Sequence, residues 1–120
     1  MRAGDVFEAT LLKGGCTFNP STNKNLVGKP FYAVSIYPEL ERVISVSWFD
    51  ARSIYAYVED NLGILTDPRH SLGTWLDTET NKIYLDIVAT LPNKTHAINL
   101  GKRHNQIAIF DLLNKKEIRL

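Results

Sequence analysis

A surplus of charge of either sign is missing from this chain. Its 14 lysines and arginines face 13 aspartates and glutamates, a formal net charge of +1 over 120 residues. Non-specific attachment to a polyanion depends on an excess of basic side chains, so the composition disfavours that role while leaving room for a local basic patch. Cysteine is almost absent. Cys16 stands alone, which excludes an internal disulfide and suits a reducing cytosol, and the expectation is a cytoplasmic protein. Cys16 follows Gly14-Gly15 with no adjacent histidine or arginine to favour a thiolate, so it reads as a small buried side chain. No apolar run approaches a membrane span. The N-terminal MRAGDVFEATLLKGG, with Asp5 and Glu8 early, lacks the apolar core of a signal peptide.

Catalytic signatures are also scarce. Gly14-Gly15 and Gly28-Lys29 lack the spacing and the strand-to-helix setting of a phosphate loop. There is no G-x-S-x-G elbow, and there is no cysteine pair for zinc. His96 and His104 stand about 12 Å apart along a helix and cannot share a metal. A metal site would need His70 or a carboxylate folded against one of them. The residues point to no cofactor.

What is present is an ordinary globular composition, 44% hydrophobic and 22% charged, at a length that buries one core as a single domain, 1–120. Val6 to Leu12 reads as a strand, and Cys16 to Pro30, rich in Asn, Ser, Pro and Gly, as a long loop able to rim a site. Phe31 to Tyr37 alternates with apolar groups on both faces, as an inner strand does, and Pro38 stops it. Glu41 to Val46 resumes the strand pattern. Ser47 reads as the cap of an amphipathic helix whose apolar arc is Trp48, Ala51, Ile54, Tyr55, Val58 and Leu62, with Tyr57 on the polar side and Gly63 as terminator. Leu72 to Val88 reads as a β-hairpin. Ile83, Leu85 and Ile87 form its aliphatic stripe, leaving Trp75, Tyr84 and Asp86 for the opposite face.

Asn93 caps a second helix running to about His104, with Ala97, Ile98, Leu100, Gly101 and His104 on its inner arc and Asn105 as left-handed terminator. Gly101 costs roughly 1 kcal/mol of helix propensity, which is justified where the helix lies close to a sheet. Gln106 to Leu113 and Glu117 to Leu120 are the last strands. The predicted fold is α+β, a mostly antiparallel sheet with two helices packed on one face, in the order β-β-β-α-β-β-α-β-β.

Gly73-Thr74-Trp75, Tyr84-Leu85-Asp86, Asn105-Gln106 and Ala108-Ile109-Phe110-Asp111-Leu112 together resemble a module carried by bacteriophages and other mobile elements. The segments from Gly14-Gly15 to Asn19-Pro20 and from Tyr32 to Ser35 are similar to its front half. The resemblance covers most of the chain. It implies a phage or mobile-element setting and action by binding, and it carries no catalytic assignment.

Three functions remain open on the residues. One is a non-enzymatic binding or inhibitor protein that recognises a protein or a small anionic ligand. Its candidate residues are Trp75, Tyr84, Asp86, His96, Asn99, Arg103 and Gln106, where aromatics and arginine suit an interface and the histidine, arginine and amides suit an anion. A second is a small nuclease or phosphodiesterase-like hydrolase using His96, Arg103 and His104 for acid-base chemistry. The third is a nucleic-acid-binding module using Lys94, Lys102, Arg103, Lys115 and Lys116. Asp86, alone in a β-rich apolar run, needs either solvent or a partner. Unpaired edge strands would allow a homodimer by sheet extension.

Overall fold

A computed structural model describes residues 2–120. In chain order the elements are α1 (Ala3–Lys13), β1 (Gly15–Asn19), β2 (Lys24–Asn25), β3 (Tyr32–Ser35), β4 (Arg42–Ser45), α2 (Ala51–Asp60), α3 (Leu62–Leu65), β5 (His70–Asp77), β6 (Lys82–Leu91), α4 (Lys94–Arg103), β7 (Ala108–Asp111) and β8 (Lys116–Arg119). The strands form one eight-stranded sheet in the order β2-β1-β5-β6-β3-β7-β8, with β4 also on β6. Every pairing is antiparallel. The fold is α+β, and no helix among the described residues is long and apolar enough to cross a membrane.

The predicted hairpin is the centre of the sheet, with Trp75 opposite Tyr84 and Gly73 opposite Asp86. Its aliphatic stripe, Ile83, Leu85 and Ile87, is fully buried against Val6, Ile54, Tyr57 and Leu65 from the first three helices. Farther along the same face, Ala97 of α4 meets Val34 and Ile109. A Cβ added to Gly101 would come within 2.9 Å of Ile109 Cγ2 and 2.6 Å of Leu120 Cδ1. The close approach of α4 to the sheet thus explains a glycine that its helix propensity disfavours. All the helices lie on this one face.

Four expectations need correction. Val6 to Leu12 lies in a helix, not a strand. Ala3, Val6, Phe7 and Thr10 recur at helical spacing, and Gly14 ends the helix at φ 86°, its N–H donating to the Thr10 carbonyl. Thr10 can be buried because its hydroxyl donates to the Val6 carbonyl at 2.7 Å and lies 2.6 Å from that of Thr74. The expected loop from Cys16 to Pro30 contains β1 and β2. There the buried Asn19 donates its amide to the Pro68 carbonyl at 2.9 Å and so ties β1 to the start of β5.

The third correction concerns α2. Asp50, not Ser47, caps it: Oδ1 accepts from the Ser53 N–H at 3.0 Å, and the Ser53 hydroxyl accepts from the Asp50 N–H at 3.1 Å. The helix therefore starts later and turns a different stripe inward, Ile54, Tyr57, Val58 and Asn61. Tyr57 is 0% exposed, whereas Trp48 and Tyr55 are 81% and 63% exposed and Leu62 is also exposed. The Tyr57 hydroxyl donates to the Leu40 carbonyl at 2.7 Å. Asn61 ends the helix, and Gly63 lies within α3. Lastly, four helices replace the expected two, and His104 is exposed where the inner arc placed it inside. Asn105 does adopt the left-handed conformation, at φ 57°.

Candidate functional site

The face of the sheet turned away from the helices carries a cleft of about 780 Å³. The strand registers place Gly73 and Trp75 of β5, Asp86 and Val88 of β6, Ala33 and Ser35 of β3, and Phe110 of β7 on this face. Leu26, Val27 and Phe31, from the segment between β2 and β3, pack with Ala33, Val88 and Leu112 and close one end. Hydrogen bonds hold that segment: the Gly28 N–H donates to the Leu112 carbonyl at 2.8 Å, and the Leu112 N–H donates to the Phe31 carbonyl at 3.0 Å.

At the other end Trp75 stacks on Tyr84 with ring centroids 4.5 Å apart and planes 12° from parallel. This is the cross-strand pairing expected of directly opposed aromatics. Trp75 is 48% exposed, too open for a core residue of this size.

Asp86 lies in the floor of the cleft, and topology explains why. Along one edge of β6, β3 pairs with Val88 to Leu91 and β4 pairs with Lys82 to Leu85, so Asp86 and Ile87 face the gap between them. The excursion bridging that gap includes a short helical turn at Pro38–Leu40, anchored by the Tyr57 hydroxyl. It delivers Glu41 beside Asp86. Burial pushes the Asp86 carboxyl up to about 7; the negative charge of Glu41 adds to the rise, and a hydrogen bond from Ser35 opposes it. A Cβ on Gly73 would collide with Asp86 Oδ1. The bare backbone of Gly73 is therefore what seats the carboxyl.

Asp111 shows the contrast. Its carboxylate accepts the Asn114 side-chain amide at 2.8 Å and the N–H groups of Leu113 and Asn114 at 3.1 Å each. Those donors hold it below the usual carboxylate range. Asp111 is a turn-forming group with its bonds made, and Asp86 is a carboxyl with few.

The predicted residues fall into two groups. Trp75, Tyr84 and Asp86 share the open face, as their alternation implied, and Trp75, Asp86 and Gln106 line the cleft, whereas Tyr84 does not. His96, Asn99, Arg103 and His104 are exposed on or at the end of α4, across the sheet, and none lines the cleft. Val27, from the Cys16 to Pro30 segment expected to rim a site, does line it, and no residue of the polar face of α4 does, so the two do not meet in this cleft. Lys94, Lys102 and Arg103 lie on α4, whereas Lys115 borders the cleft.

Cys16 is buried and its thiol is pushed up to about 11 by that burial, so it is not a nucleophile at neutral pH. His70 packs edge-on against Tyr37, and among the described residues no three His, Cys, Asp or Glu side chains are grouped to hold a metal ion. Ser35, Glu41 and Phe110 are site residues that sequence reasoning missed. Ser35 was within reach, since the alternation of β3 gives that strand an outward face, but nothing local ties Glu41 to Asp86. Comparisons of the chain with protein-family models, curated proteins and solved structures find no match.

Proposed function

We propose that this chain is a non-enzymatic binding protein that takes its ligand or partner segment in the open-face cleft. The observation that carries this reading is the asymmetry of the sheet. Helices cover one face, while the other combines an exposed tryptophan stacked on Tyr84, apolar walls and a sparsely bonded carboxyl, with Trp75 and Asp86 lining one concavity. Ligand sites have this make-up, mostly apolar with a few convergent polar groups, and this volume is in the range they occupy. The resemblance to phage and mobile-element modules agrees with action by binding. Anion recognition through His96, Asn99 and Arg103 would use a separate surface, the exposed side of α4, outside the cleft.

A fragment screen followed by amide chemical shifts tests the proposal. Ligands should move Gly73, Trp75, Asp86, Val88 and Phe110 together, and Trp75→Ala should abolish the response while Arg103→Ala leaves it intact. Hits that instead cluster on His96, Asn99 and Arg103 would overturn it in favour of the helix surface.

A second reading rests on Asp86 alone. A carboxyl titrating near neutrality in a cleft can give and take a proton at physiological pH. Turnover of a hydrolysable substrate, lost in Asp86→Asn and kept in His96→Ala, would identify it.

A further inference from the structure

Asp86 and Glu41 belong to no ion pair among the described residues. The nearest arginine in sequence, Arg42, is committed elsewhere. Its guanidinium meets Asp60 Oδ2 at 2.8 Å and lies 5.0 Å from the centroid of the Tyr57 ring. The lysines bordering the cleft, Lys13 and Lys115, are exposed, out in solvent, while Asp86 is set in the floor. The cleft thus has a carboxylic floor with no cation on it, an apolar wall in Val88, Ala33 and Phe110, and an indole at its mouth. A buried carboxylate is expensive without a partner of opposite charge. An indole face and a carboxylate both attract a cation, and the apolar wall favours a hydrocarbon or planar body behind it.

Resting on the cleft-binding reading above, we propose that the ligand is a small organic cation. An ammonium or amidinium head sits on Asp86 with Glu41 beside it, and its apolar body lies over Val88, Ala33 and Phe110 next to Trp75. Charge complementarity selects the head, and the cleft's dimensions select a small molecule over a broad protein surface. A phosphate or carboxylate ligand would meet Asp86 and Glu41 head-on, whereas the basic residues of α4 lie across the sheet.

The test compares benzylammonium, benzyl alcohol and benzoate, which keep the ring and change the charge, on the full chain. Backbone amides of Gly73, Asp86 and Val88 and the Trp75 indole N–H are followed by NMR. Benzylammonium should bind saturably at these positions, roughly tenfold more tightly than benzyl alcohol, the difference one charge-assisted hydrogen bond supplies. Asp86→Asn should remove the preference while keeping weak binding of the alcohol. Glu41→Gln, at an exposed position where folding is not at risk, should reduce it by about threefold, consistent with a partly screened charge.

Equal binding of the alcohol, or tighter binding of benzoate, at the same amides would overturn the cation while leaving the cleft as the site. Response of none of these amides to any probe would overturn both readings. The same amides shifting with protein concentration alone, together with dimers in sedimentation, would make a second copy of the chain the occupant and overturn the small cation.

Discussion

The two faces of the sheet are built from alternate residues of the same strands, yet they obey different rules. On β6, Ile83, Leu85 and Ile87 point into the helices and are fully buried, while Tyr84, Asp86 and Val88 lie on the open face, where Asp86 and Val88 line the cleft. The covered face has apolar groups filling the space between the sheet and the four helices. The open face carries a glycine, a carboxyl and an exposed tryptophan, each a poor choice for packing. The space above Gly73, which a side chain would otherwise fill, is taken by the Asp86 carboxyl instead. The difference teaches that alternate residues of one strand can meet different demands, close packing on one face and the lining of a cleft on the other.

Truncations on the two faces should separate accordingly. Leu85→Ala opens a cavity beneath α1 and α2 and should cost about 2–5 kcal/mol in urea unfolding, the largest effect expected here. A loss under about 1 kcal/mol would mean that the covered face is not the core.

Asp86→Asn probes the open face through pH. In the unfolded chain an aspartate gives up its proton near pH 4, whereas folded Asp86 keeps it until about 7. The unfolded state therefore binds fewer protons in that window, and stability falls as pH rises through it. The contribution from the neutral carboxyl is complete below pH 4 and gone above about 7, amounting to roughly 2–4 kcal/mol. The asparagine variant should lose that slope and be the more stable protein at pH 8. Parallel urea midpoints for the two proteins from pH 4.5 to 8 would show that Asp86 is not buried as described.

Gly73→Ala tests the seating of that carboxyl. Its methyl collides with Asp86, and the expected cost is about 1–3 kcal/mol, typical of overpacking. Combining it with Asp86→Ala should restore much of the loss, a coupling that additive costs would disprove.

Trp75→Ala should have the smallest effect on folding, about 0.5–1.5 kcal/mol from the lost stack on Tyr84, measured by thermal or urea unfolding. A penalty matching that of Leu85→Ala would make Trp75 a structural residue and erase the contrast between the faces.

Much of the architecture was legible locally. Period-two alternation identified the hairpin and assigned Trp75, Tyr84 and Asp86 to one face, because a strand's side chains have no other way to point. Asn93, Asn105 and Gly101 were readable from capping and turn chemistry. Helix α1 was misread because Val6 and Thr10, both β-branched, suit a strand by type while their spacing suits a helix. The face of α2 was misjudged because Asp50 competes with Ser47 as the cap, and only the packed structure decides between two adequate caps.

By itself, then, the sequence determined the α+β class, the central hairpin and the composition of its two faces, since these follow from periodicity and backbone chemistry within a few residues. Tertiary structure alone decided what the open face amounts to. The gap between β3 and β4 along β6 sets Glu41 beside Asp86 across 45 residues of chain, and the segment from Leu26 to Phe31 folds over to turn a flat face into a cleft. Such proximities depend on which strand pairs where, and on the burial that results. No local pattern records either.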